Sequence, residues 1–142
     1  MADEARNITL LGNDGDRIEV TVAAGTPIPK GSLMRIATSP NTALITSGVN
    51  QHFIGIAAFE KTATDGITKM SVITHCIADL TCGGAESMTL ANTVMTGAVA
   101  NEVTVADEAT VEGSSEVVGM ALETVGGNGV GAVLINVGKT WM

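Results

Sequence analysis

Four residues have the chemistry to hold a soft metal: His52, the adjacent pair His75-Cys76, and Cys82 six positions further on. Zinc sites need four ligands, usually as pairs at short spacing. His52 stands before a strand-like segment with no second ligand beside it. Cys76 lies in the apolar run Ile73 to Ile77, where a free cysteine acts as a small hydrophobe. No metal and no cofactor are expected. Acid–base chemistry fares no better. Asp65 and Asp79 fall in or beside turn-like segments, where aspartate is a turn former. Glu102, Asp107, Glu108, Glu112 and Glu116 have no apolar pocket around them and read as a solvated face, with a weak divalent-ion site as the alternative. Gly126 to Gly131 contains Gly-x-Gly spacings, but a dinucleotide loop follows a strand and opens a helix. This one opens Ala132 to Val137, which reads as a strand, so it is a hairpin turn. A Gly-x-Ser-x-Gly elbow and a phosphate-loop lysine are both missing. No catalytic residue is expected, and the chain reads as a binder rather than an enzyme.

The elements around these residues are strands. Arg17-Ile18-Glu19-Val20-Thr21-Val22 alternates with period two behind the turn Asn13 to Asp16. Arg6 to Leu10 alternates in the same way, so residues 1–24 read as an N-terminal arm and hairpin. Gly25-Thr26-Pro27-Ile28-Pro29-Lys30-Gly31 forbids a regular helix or a central strand. Further strand-like pieces are Ser32 to Ile36, Ala43 to Thr46, His52 to Ala57 and Lys69 to Thr74. Residues 86–100 come nearest to a helical stripe without sustaining one. The fold class expected is all-β, a compact small barrel or sandwich.

Composition agrees. Hydrophobic residues make up 45% and charged residues only 15% of 142, which excludes disorder. There is no Tyr, two Phe and one Trp, so the core must be built from aliphatic residues and Met. Seventeen Gly in this length point to many tight turns. Seven Lys and Arg against fifteen Asp and Glu leave a net charge of −8. A nucleic-acid interface needs clustered cations or aromatic platforms, and neither is present. No apolar run approaches the ~18 residues of a membrane span. Neither nucleic acid nor membrane is an expected partner. The polar start Met1 to Arg6 lacks the charged and apolar regions of a signal peptide, and two cysteines fit a reducing compartment, so synthesis in a cytoplasm is expected.

An internal repeat is visible. Phe53-Ile54-Gly55-Ile56-Ala57 recurs as Val117-Val118-Gly119-Met120-Ala121, and Leu33-Met34 matches Val94-Met95, at offsets of roughly 60 to 64 residues. Each copy continues through a glycine turn, Asp65-Gly66 or Asn128-Gly129, into an apolar strand. Residues 25–142 are therefore expected to be one β domain of two similar halves, about 25–77 and 86–137. The halves should share a core about an approximate two-fold, with Gly55 and Gly119 in equivalent places. So apolar a chain has more surface than one small core buries, and such surface normally meets a partner. Trp141, beside Met142, is either a core plug or an interface anchor, and the anchor is favoured.

The extended polar start, the segment Gly25 to Met34, the Phe53 to Ala57 motif and a second copy ending at Gly131-Ala132-Val133-Leu134-Ile135 together resemble the small head-decoration, or capsid-cement, proteins of tailed bacteriophages and related viruses. The likeness covers most of residues 8–138, and it rests on glycine turns and apolar strands. It implies a β fold that forms a homotrimer on the outer surface of the virion and binds the major capsid protein, stabilising the expanded head. It also implies that the arm, through Ile8, Leu10 and Leu11, makes the capsid contact. The competing reading pairs that arm with residues 17–22 of its own subunit. Another β-rich virion protein, a tail tube or spike subunit, is the alternative function, and a small β-barrel enzyme is a remote third.

Overall fold

Alternating apolar residues between glycine and proline punctuation leave the backbone one economical solution, and strands account for nearly every regular segment. The computed structural model describes residues 6–8, 16–106 and 116–137. Among them run eleven strands: β1 (Arg6–Ile8), β2 (Arg17–Thr21), β3 (Leu33–Ile36), β4 (Ala43–Ile45), β5 (Phe53–Ala57), β6 (Lys69–Ile73), β7 (His75–Cys82), β8 (Thr93–Thr96), β9 (Glu102–Val105), β10 (Val117–Ala121) and β11 (Val130–Asn136). No α-helix occurs among the described residues, residues 86–100 included. The fold is all-β.

The strands form two sheets of one design. The first runs β2-β6-β5-β3-β4 and the second β7-β11-β10-β8-β9, with β1 added outside β7. Each curls towards closure through a parallel contact between its first and last strands. In the second sheet this contact pairs Thr81 with Glu102 and Cys82 with Val103. In the first, Thr21 bridges Thr42. The two sheets pack into a small sandwich-like body of two half-closed barrels.

The repetition extends to single residues. Met34 lies opposite Gly55 and Val94 opposite Gly119, each beside a register shift. The counterpart of Met34 is thus Val94, and the match of Leu33-Met34 with Val94-Met95 was one residue out of register. Ile28 bridges Lys61, as Met88 bridges Val125. Gly31 N–H donates to the Ala57 carbonyl, and Ala91 N–H to that of Ala121. In strand order each copy begins with β2 or β7, one strand ahead of the halves 25–77 and 86–137. In β7 the inward residues Cys76, Ala78, Leu80 and Cys82 are mostly small, and outward-facing Ile77 blurs the alternation that would mark a strand.

Gly31 has φ 85° and its counterpart Ala91 has φ 69°, so the second copy carries a side chain in the left-handed region. That conformation costs an L-residue about 1–2 kcal/mol, partly offset by the greater unfolded-state freedom of glycine. Ala91→Gly is therefore expected to raise stability by a net of about 0.5–1 kcal/mol, read from denaturant midpoints.

Two large clusters fill most of the interior, and a small third is formed by Met95 and Val117. One holds Val20, Val22, Ile28, Met34, Ala43, Ala57, Met70 and Val72, all from the first copy. The other joins Leu33, Phe53, Ile56 and Ile73 of the first copy to the inward residues of the second, from Cys76 to Ile135. The copies therefore share apolar core across their junction. Lys61 is the exception to the apolar rule. Its side chain is buried, and its ammonium donates to the carbonyls of Ala24 (2.6 Å), Thr26 (2.8 Å) and Thr62 (3.2 Å). Where the first copy uses this cradle, the second places Val125.

Among the described residues, the N-terminal strands β1 and β2 do not pair with each other as the expected hairpin. β1 pairs antiparallel with β7, Arg6 opposite Asp79 and Ile8 opposite Ile77, while β2 pairs with β6. A local hairpin would close a shorter loop. The repeat supplies β2 with β6 as its antiparallel neighbour, just as it supplies β7 with β11.

Candidate interaction surface

The side chains with reactive chemistry are dispersed. His52 and His75 are exposed, whereas Cys76 and Cys82 are buried and form no disulfide. Burial pushes the Cys82 thiol up, Glu86 and Glu102 add to the shift, and the Gly83 N–H opposes it. A thiol held protonated is a poor nucleophile and a poor metal ligand. Glu86 is itself engaged, accepting a 2.6 Å hydrogen bond from the Thr104 hydroxyl. Among the described residues no three His, Cys, Asp or Glu side chains converge as a metal site. Of the acidic stretch, Glu102 is half-buried and Glu116 buried, while Asp107, Glu108 and Glu112 lie outside the described residues.

Asp65 is the turn former its position suggested. Its carboxylate accepts from Ile67 N–H (2.9 Å) and Thr62 N–H (2.8 Å). The Ile67 bond leads in holding its pKa below the ordinary value, with Thr62 and the Lys61 charge assisting against partial desolvation. Asp79 departs from expectation: it sits within β7 rather than beside a turn. The glycine-rich segment does turn into a strand, with Asn128 at φ 61° just ahead of β11.

The best-defined polar contacts lie at the junction between the copies. The turn after β8 carries Asn101, 1% exposed at φ 62°, and its Oδ1 accepts from Leu33 N–H at 3.0 Å. Asn101 N–H donates to Thr46 Oγ1 (3.3 Å), and the Thr96 hydroxyl donates to the Gly48 carbonyl (2.7 Å). Asn41, the first copy's counterpart at φ 54°, is exposed. A two-fold relation would bury both asparagines alike, so the copies are joined one way round, as head to tail. Nothing in the composition marked Asn101, although its spacing of sixty residues from Asn41 is a signal the repeat offered.

Leu90, Val130, Val49, Ile18 and Val99 are the exposed large hydrophobics among the described residues. Of the residues expected to contact a capsid, Ile8 lies in β1 on the edge of β7. Leu10 and Leu11 lie outside the described residues, as do Trp141 and Met142.

The fold and surface together define a class: an all-β chain of two like sheets joined head to tail. Among solved structures it is similar to the head fiber gp8.5 N base in bacteriophage phi29, with a TM-score of 0.54 at 11% identity. The similarity covers 85% of this chain and 93% of that one, so the two share a fold over nearly their whole lengths. No protein-family model matches the chain, and no curated protein matches it.

Proposed function

We propose that this protein is a structural component of a tailed-phage head, a decoration protein that binds the outside of the major capsid protein lattice and stabilises the expanded shell. One observation carries the reading: the fold-level likeness, end to end, to the base of a phage head fiber protein. In this reading the free protein assembles as a homotrimer, and each copy contacts both its siblings and the shell. At roughly 25 cal/mol per Å² of apolar area, a modest contact repeated over many sites toughens a shell considerably. Heads assembled without the protein should rupture at a lower temperature than the same heads after it is added back. Equal rupture temperatures would remove the stabilising role.

A further inference from the structure

The two copies treat one edge differently. In the second copy β1 covers the outer edge of β7 at residues 77–79. The repeat makes residues 17–19 the equivalent stretch of β2, because Thr21 and Thr81 occupy the same closing position. Among the described residues no strand lies along β2 beside Ile18 and Glu19. The direction of its backbone groups follows from the bonds on either side. Val22 N–H donates to Thr68 and the Asp16 carbonyl accepts from Thr74, both towards β6, whereas Thr21 N–H points away, to Asn41. Even-numbered residues thus face β6, and Glu19 turns its N–H and C=O outward.

The side chains point the same way. Ile18 shares the face of Val20 and Val22, which are 4% and 2% exposed, yet it is 45% exposed itself. Arg17 and Glu19 project from the opposite face, and both are exposed, with Glu19 3.6 Å from the Lys69 ammonium on β6 and still open to solvent on its outer side. The sequence Arg17-Ile18-Glu19 is self-complementary when read antiparallel against itself. Arg17 then faces Glu19 of the second copy, Glu19 faces Arg17, and Ile18 meets Ile18.

We propose that β2 pairs antiparallel with β2 of a second copy of this chain, about a two-fold axis at Ile18. The outward-facing residues form the hydrogen-bonded pairs, and Ile18 falls at the closer non-hydrogen-bonded position, where side chains touch best. Two cross-strand charge pairs flank that apolar contact, and the edge that would otherwise template aggregation is closed. This contact is independent of the role on a phage head.

The test is the mass of the free protein by sedimentation equilibrium. The wild type should contain a species whose mass halves in Arg17→Glu and in Glu19→Arg, each of which sets like charges face to face. The dissociation constant should rise about tenfold or more in either single variant. The double variant Arg17→Glu/Glu19→Arg restores opposite charges and should restore the mass. A second variant guards against a folding defect. Ile18→Cys should oxidise to a disulfide-linked dimer, because facing Cα atoms at such positions lie about 4.5 Å apart, within disulfide reach. Single variants with unchanged mass, a double variant that stays dissociated, or an Ile18→Cys protein that never cross-links would each overturn the pairing.

Discussion

Gly119→Ala is expected to cost at least about 4 kcal/mol, much of the total stability of a domain this size. A β-carbon there would sit on the Leu134 carbonyl oxygen, 2.9 Å from the Leu134 carbonyl carbon and 3.2 Å from Ile135 Cα. All three are backbone atoms, so no side-chain rotation relieves the clash, and β10 must part from β11 where Gly119 faces Ile135. The counterpart Gly55 should be nearly as intolerant. Its β-carbon would lie 2.5 Å from the Ile73 carbonyl oxygen, and its φ of 138° is strained for any L-residue. Gly126, with nothing within 4 Å of the added carbon, supplies the control. Gly126→Ala should shift the denaturation midpoint little. A Gly119→Ala protein as stable as Gly126→Ala would contradict the close strand packing.

Asn101→Ala is expected to be the costliest polar substitution at the junction of the copies. It leaves the buried Leu33 N–H without its acceptor, worth about 1–3 kcal/mol. It also leaves an alanine at φ 62°, worth about 1–2 kcal/mol more. Asn101→Gly removes the bond but keeps the backbone at ease, so its loss should be smaller by roughly the second amount. Asn41→Ala carries only the backbone strain, because Asn41 is exposed. Equilibrium unfolding of the three variants separates the bond from the strain. A loss at Asn41 equal to that at Asn101 would mean that the buried junction contributes nothing.

Much of this architecture was legible where polar and apolar residues alternate cleanly. Arg17 to Thr21 formed β2, and the apolar run before Val137 formed most of β11. Gly55 and Gly119 were readable as counterparts because an apolar motif flanked each, and both stand where strands approach too closely for a side chain. β7 was harder, since Cys76 and Ala78 carry weak strand signals and Ile77 faces outward. The pairing of Arg6–Ile8 with residues about seventy positions away was not readable, because a nearby alternating partner existed in Arg17 to Val22. Asn101 was hidden for a related reason: a polar residue in a turn looks solvent-facing until another unit packs over it. The two-fold expected between the halves failed on the same residue.

The proposed role on a phage head is tested most directly by electron cryomicroscopy of heads assembled without this protein and then incubated with the purified chain. Ordered, saturable density is expected at repeated positions on the outer face of the shell, into which the double five-stranded body fits. Heads that remain bare at an excess of protein would contradict it.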